Sequence, residues 1–469
     1  MRKFLLYLFV FFSGFANLAT EIIGPRLFAS LFGSTTVIWA IIISVTLVGI
    51  SLGYYLAGRI PKESIPRLLP ILLVLNALWL LLVSWFVWEL PARLSGGGAE
   101  IIMITALIAF FIPAVIFSTA SPLTITILAD QPPQANLQRI VGNVLALGTI
   151  GSVLGALAAA FFFIPYVGLS TSLRLFALGS VLFAAYFFSS QRKLISVAAA
   201  LICLVFPLPS YRWASADTLL AQQEGYYQTV RVYTDGENYI RMHLGPQYET
   251  EMDLRTGEPN FNYAQSMIEE LGEVQGKEVL IIGGAGHTQA RALEKRGARV
   301  TEVEIDPLVI SLSDQFFGPL QGEVVSQDGR TYVNQAESGR FDYVIVDAYS
   351  GPAYVPPQLT TREFFEGLRE AMTPEGIMLY NLIGIPSGDG SRSFFAISAT
   401  LASVFSDARY IARQSRSLQN IILMASMTEM AALGYPEAPC CEGPVLTDDL
   451  NPIEIFLEEA RQGELYFRR

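Results

Sequence analysis

The stretch Lys277-Glu-Val-Leu-Ile-Ile-Gly-Gly-Ala-Gly-His287 decides the fold. It is an apolar strand that runs into a glycine-rich turn, with a helix predicted over 288–296. A second strand follows at once, Arg299-Val-Thr-Glu-Val-Glu304. Working outward, further strands are expected at 341–347, 376–382, 408–414 and 419–425, with helices between them. Strands that alternate with helices specify a parallel, doubly wound, Rossmann-like sheet. Upstream, residues 226–250 read as a small β region with a turn at Asp235-Gly236. The expected divisions are an apolar domain over 1–208, a linker with the small β region over 209–270, and the Rossmann-like domain over 271–469.

In such sheets ligands bind at the carboxyl ends of the strands. Gly283, Gly284 and Gly286 let the backbone approach a ligand at the start of a helix. Glu304 lies 21 residues after Gly283, at the end of the second strand, where an acid can hold ribose hydroxyls. Asp328-Gly329-Arg330 follows the third strand, and Asp347-Ala-Tyr-Ser-Gly-Pro follows the fourth. The turn, the acid at that spacing and the two strand-end aspartates together point to a nucleoside-containing ligand. Each acid also has a plain structural reading as a helix cap, and Asp306, just before Pro307, is assigned to that role. A methyltransferase, a nicotinamide enzyme and an aminopropyltransferase all share this much.

The other half of the chain is of a different kind. Of 469 residues 52% are hydrophobic and 16% charged, against about 25% charged in ordinary soluble domains. Apolar runs near 4–23, 35–58, 68–90, 101–128, 140–163, 170–190 and 194–208 mostly reach the ~20 residues that cross a bilayer. This predicts an α-helical polytopic membrane domain of six or seven helices in the cell's inner (plasma) membrane, with the lipid bilayer as a partner. Residues 1–208 hold 11 Lys/Arg and 5 Asp/Glu, so the acidic net charge of −11 belongs to the remainder. An acidic domain lacks the basic footprint that nucleic acid requires. Two histidines, His243 and His287, are too few for a histidine-built metal site, and no metal is expected. The loop charges place the N-terminus in the cytoplasm; seven full crossings would put the acidic half outside and six would return it inside. Gly49 and Gly53, like Gly148, Gly151 and Gly155, form small-residue faces for close helix packing.

Residues 226–382 resemble the spermidine synthase (polyamine aminopropyltransferase) family. The matching stretches are Tyr227-Gln228, Tyr263, Val279-Leu-Ile-Ile-Gly-Gly284, Val303-Glu-Ile-Asp306, Asp328-Gly329 and Phe341-Asp-Tyr-Val-Ile-Val-Asp347. Ala348-Tyr-Ser-Gly351, Leu359-Thr-Thr-Arg-Glu-Phe-Phe365 and Leu446-Thr-Asp-Asp-Leu-Asn-Pro452 add a likeness to bacterial members fused to an N-terminal multi-pass membrane domain. The resemblance implies a donor that is decarboxylated S-adenosylmethionine or S-adenosylmethionine, and a small-molecule amine or membrane-delivered acceptor. It implies that Glu304 holds the ribose hydroxyls, Asp328 and Gly329 the adenine end, and Gln228 the nucleoside or sulfonium region. Asp347 becomes the acid at the reaction centre, with Tyr263 lining the acceptor pocket. It also implies a homo-oligomer. Because such donors are cytoplasmic metabolites, the catalytic domain is expected to face the cytoplasm.

The departures from the family pattern are informative. The aspartate that usually follows the glycines is Gly286 here, and the next two family glycines are His287 and Thr288. The second aspartate after the fourth strand is Ser350, and the acidic and histidine neighbours of Tyr263 read Pro259-Asn260 and Ala264-Gln265. A dication such as putrescine needs paired carboxylates when desolvated, so an acceptor other than putrescine is expected. Methyl transfer or acceptor-free cleavage of S-adenosylmethionine is the alternative, and a non-catalytic nucleoside-sensing transporter the second alternative.

Overall fold

The computed structural model describes residues 2–32, 35–93, 99–130, 136–187, 217–245, 247–351, 353–430, 434–440 and 442–467. It divides into two compact units, the apolar helices and the C-terminal half. The expected span at 194–208 lies outside the described residues.

The first unit contains α1 (Arg2–Phe32), α2 (Thr36–Ala57), α3 (Ile65–Arg93), α4 (Ala99–Ser118), α5 (Ala120–Ala129), α6 (Leu137–Ala158) and α7 (Leu169–Phe187). With α4 and α5 taken as one span, six stretches of the described residues are long and apolar enough to cross a membrane. Glycines set which helices touch. A Cβ at Gly49 would lie 2.9 Å from that of Ala114, and one at Gly53 would strike the Val115 carbonyl, so α2 and α4 meet backbone to backbone. Gly151 and Gly155 of α6 abut the carbonyls of Phe11 and Phe15 in α1 in the same way. Close approach of this kind replaces the hydrophobic effect as the glue between helices in lipid.

The second unit begins with a four-stranded antiparallel sheet, β1 (Thr218–Glu224), β2 (Thr229–Thr234), β3 (Tyr239–Leu244) and β4 (Gln247–Asp253), in sequential order. Asp235 builds the β2–β3 turn by accepting from the backbone of Glu237, Asn238 and Tyr239. After α8 (Asn262–Glu270) come β5 (Glu278–Ile282), α9 (Thr288–Lys295), β6 (Arg299–Glu304), α10 (Pro307–Phe316), β7 (Glu323–Ser326), α11 (Gly329–Val333) and β8 (Phe341–Val346). The unit closes with α12 (Arg362–Ala371), β9 (Met372–Gly384), α13 (Arg392–Ala402), β10 (Asp407–Ile411), β11 (Gln419–Ser426) and α14 (Ile453–Phe467).

The seven strands lie in the order β10-β11-β9-β8-β5-β6-β7. Strands β5 to β9 run parallel, and β11 is antiparallel to both its neighbours. This is the Rossmann-like, methyltransferase-type sheet, with its terminal hairpin reversed. Alternation along β5 explains its unbroken apolar run. Leu280 and Ile282 face the core shared with Phe364, Phe365 and Leu368 of α12, while Val279 and Ile281 face Met267 and Ile268 of α8 and Leu293 of α9. Helices cover both faces, so Val279 to Ile282 are all buried. The small sheet packs Val230, Val232, Ile240, Met242 and Met252 onto Val309, Leu312 and Phe317 in and just after α10. Strand order reverses between β5 and β8, which opens the crevice where such folds take ligands.

Sequence reading missed little of this unit. Strand β1 lies wholly ahead of the expected 226–250 region, and β9, expected over 376–382, runs from Met372 to Gly384. Phe364 and Phe365 are fully buried in the core, whereas Tyr226 is 45% exposed in the β1–β2 turn, its ring edge-on to that of Tyr227 at 5.0 Å.

Candidate active site

The turn after β5 is shaped by backbone, not side chains. Gly283 has φ +94°, and a Cβ there would strike the carbonyl of Asp347 at the end of β8. Gly286 has φ +70°, and a Cβ there would meet the Thr250 methyl and the Phe317 ring. Both positions require glycine, the first for close approach of two strand ends and the second also because β4 fills the space. A Cβ on Gly284 would collide with the Glu302 carboxylate.

Glu304 ends β6, almost fully buried at 8% exposure. Its carboxylate accepts from Gly284 N (3.2 Å) and Asp306 N (2.9 Å), which locks it to the glycine turn. Burial still lifts its pKa to about 7. Asp306 caps α10 by accepting from Leu308 N at 2.9 Å, as its place before Pro307 suggests. Asp328 likewise caps α11, with Oδ1 accepting from Thr331 N at 2.9 Å, while Oδ2 faces the Gln358 amide at 3.4 Å. Gly329 follows it, buried, and a Cβ there would press on the Ile282 side chain. Gln228 sits half-buried in the β1–β2 turn, its carbonyl accepting from Gly225 N at 2.8 Å. That turn lies over the end of β6, since a Cβ at Gly225 would be 2.8 Å from Leu308 and 3.5 Å from Asp306.

Asp347 follows β8. Its Oδ1 accepts from Asn381 Nδ2 at 2.7 Å and its Oδ2 from Gln289 Nε2 at 2.9 Å, and the Tyr263 hydroxyl lies close to it. Burial raises its pKa above the usual carboxylate range against these donors. Asn381 is itself held by Asn420 Nδ2 at 3.1 Å. The carboxylate is therefore fixed in orientation from two elements, α9 and β9, and is easily protonated for its type.

The structure thus joins Asp347 with Tyr263 and joins Glu304 with Gly284, while Asp328 and Gln228 stand at neighbouring strand ends. Residues that sequence reading missed complete the site. Gln289, Asn381 and Glu249 carry no motif, and only the sheet brings them beside Asp347. Glu249, on β4, has its pKa lifted to about 8 by burial and by the negative charges of Asp347 and Glu304. His287 is the other surprise. It is 1% exposed in a left-handed backbone conformation (φ +54°), with Nδ1 2.5 Å from Glu302 Oε1 and Nε2 3.4 Å from Asp314 Oδ1. It faces away from Asp347 and braces the turn. His243 stacks edge-on against Tyr233 at 4.8 Å and is a packing residue.

A sheet of this order, with a glycine turn after β5 and acids at the ends of β6 and β8, is the fold of methyltransferase-type Rossmann domains. A family model described as the spermine/spermidine synthase domain matches residues 262–412. A probable polyamine aminopropyl transferase of Bifidobacterium longum is 34% identical over 149 residues, which are 31% of this chain and only 33% of that protein. A polyamine aminopropyltransferase of Chromobacterium violaceum is 30% identical over 211 residues, 42% of this chain and 77% of the relative. Polyamine aminopropyltransferase 2 of Aquifex aeolicus is 22% identical over 396 residues, 80% of this chain and 78% of the relative. The chain belongs to the spermine/spermidine synthase family.

Proposed function

We propose that this chain is a membrane-bound aminopropyltransferase-type enzyme. It takes decarboxylated S-adenosylmethionine or S-adenosylmethionine as donor, without a metal, and passes an alkyl group to an amine other than putrescine. The observation that carries this reading is the Asp347 carboxylate, held by Gln289 and Asn381 on the strand beside the glycine turn, with Tyr263 close by. In the transfer, the acceptor nitrogen attacks the carbon next to sulfur. The C–S bond breaks with its electron pair going to sulfur, the sulfonium becomes a neutral thioether, and the nitrogen sheds a proton. Asp347 orients that amine and receives the proton, which its raised pKa favours. The fixed geometry supplies the alignment of nucleophile and leaving group. Glu304 and Gly284 hold the ribose side, with Gln228, Asp328 and Gly329 along the nucleoside.

Putrescine is disfavoured because Ser350, Asn260 and Gln265 stand where the family pattern carries acids. Ser350 is tied into its own loop, its N–H bonded to Tyr354 O at 2.8 Å. Asn260 is bonded to Glu251, and Gln265 to the Pro259 carbonyl at 2.8 Å. We place the helices in the inner membrane, with the transferase domain facing the cytoplasm and the chains associating as a homo-oligomer. Mass spectrometry of products from the full-length enzyme tests the chemistry. Methylthioadenosine together with an alkylated amine is expected; S-adenosylhomocysteine would replace aminopropyl transfer with methyl transfer. Failure to bind either donor would sink the reading. Protease protection of a C-terminal tag in spheroplasts tests the orientation, with protection expected.

A further inference from the structure

Strand β4 holds one residue more than its partner. The ladder pairs Met242 with Thr250 and His243 with Tyr248, leaving Glu249 with no residue opposite it. Strict alternation would send Glu249 outward with Glu251, whose carboxylate is bound by Arg241 at 2.6 Å. A bulge breaks that alternation and re-aims a side chain. Here it sits against the start of α9, where Thr250 Oγ1 meets Thr288 Oγ1 at 2.9 Å and the Thr250 methyl closes off Gly286. These contacts of Thr250 set its neighbour, the bulged Glu249, beside the glycine turn; burial and the charges of Asp347 and Glu304 act on its carboxylate there. Among the described residues, no hydrogen-bond donor and no basic side chain engages it.

A second observation points to the same space. Gln289, 8% exposed, gives its Nε2 to Asp347 and keeps a buried Oε1 with no partner. An orphan acceptor beside three carboxylates marks the place of a group that carries both positive charge and N–H donors. No side chain can project from Gly286 into this space without displacing Thr250.

We infer that Glu249 binds the primary ammonium of the donor's alkyl chain and thereby selects a sulfonium nucleoside without a carboxylate over ordinary S-adenosylmethionine. This rests on the nucleoside-transferase reading above. The carboxylate of S-adenosylmethionine would face Glu249 and Asp347 with no basic group among the described site residues to offset it.

The test is isothermal titration of the full-length protein in detergent with decarboxylated S-adenosylmethionine, S-adenosylmethionine and methylthioadenosine, which lacks the ammonium. Glu249→Gln should weaken the decarboxylated donor by about 10- to 100-fold, the scale of a hydrogen bond to a charged group. Methylthioadenosine should change by less than about threefold, because it never touches Glu249, and Glu249→Asp should restore part of the loss. Equal losses for both ligands would show a merely structural residue and overturn the inference. So would a wild-type protein that binds methylthioadenosine yet prefers neither donor, an outcome that leaves the nucleoside reading standing. A wild-type protein that binds none of the three removes both.

Discussion

Replacing Glu304 by Gln should make the empty protein more stable at alkaline pH while weakening its hold on a nucleoside. Glu304 is almost wholly buried, and its pKa climbs from 4.5 in the unfolded chain to about 7 in the fold. Folding therefore takes up a proton at this site between those two values. Stability from it is fully present below pH 4.5 and is lost as pH rises through 7. At about 1.4 kcal/mol per unit of pKa, the loss by pH 8 is on the order of 3 kcal/mol. Glutamine does not titrate, so it escapes that loss. It can keep only one of the two backbone bonds, to Asp306 N at 2.9 Å or Gly284 N at 3.2 Å. That second effect costs about 1–3 kcal/mol and does not change with pH, so the slope separates it from the first. Scanning fluorimetry of wild type and Glu304→Gln from pH 5 to 9 should show the variant gaining about 6–12 °C relative to wild type across that range, at 2–4 °C per kcal/mol for a domain of this size. Nucleoside affinity should fall by about tenfold or more with the lost charge-assisted bond. Parallel melting curves for the two proteins would refute the buried-acid argument.

Asp347→Asn should cut turnover by about 10²- to 10⁴-fold, the range for loss of a general base, with donor affinity held within about threefold; retained methylthioadenosine release would remove Asp347 from the chemistry. Gly283→Ala forces a side chain against the Asp347 carbonyl at a φ that disfavours it, and a loss of about 2–4 kcal/mol in urea unfolding is expected. His287→Ala strands the buried Glu302 carboxylate and should cost about 3–5 kcal/mol. Burial lowers the His287 pKa, but the Glu302 and Asp314 carboxylates outweigh it and leave the imidazole above its ordinary value. The histidine's share of the stabilisation is complete below about pH 6.5 and fades as pH passes the raised folded value, while burial raises the Glu302 pKa, so that the pair also dissolves in acid. The gap between wild type and variant should therefore narrow in acid, where Glu302 takes up a proton and is no longer a stranded charge, and a gap independent of pH would count against the ion pair.

The scaffold was legible because its signals are local. A strand buried on both faces reads as an apolar run, and Gly283 and Gly286 announce positive φ. Asp306 before Pro307 announces a cap, and the glycine faces at Gly49, Gly53, Gly151 and Gly155 announce close helix contacts. The motif acids Glu304 and Asp347 were legible for the same reason, each at the end of a recognisable strand. What the sequence hid depends on registers between distant segments. Gln289 reaches Asp347 across 58 positions and Asn381 across 34. The bulge that exposes Glu249 exists only as a mismatch between two strands. The alternation of β4 alone would have placed that carboxylate on the wrong face.

The glycine turn shows how charge can move between elements of one site. A non-glycine residue at φ +54° costs about 1–2 kcal/mol, and His287 sits there because its ring, wholly buried, reaches Glu302 on β6. The same turn leaves Gly286 bare, and Thr250 occupies the volume in which a side chain would project. Thr250 can do so only because β4 carries the extra residue next to it, and that residue is Glu249. Filling the turn with a threonine methyl and supplying a carboxylate from the bulge are thus one structural change. Substituting Gly286 by Asp should therefore not add a fourth acid to the pocket. It should push Thr250 outward, carry Glu249 with it, and weaken binding of a cationic donor, whereas Gly286→Asp combined with Thr250→Ser should recover part of the loss. If the single variant instead tightens binding of decarboxylated S-adenosylmethionine, the two carboxylates occupy separate places and the coupling of turn to bulge is wrong.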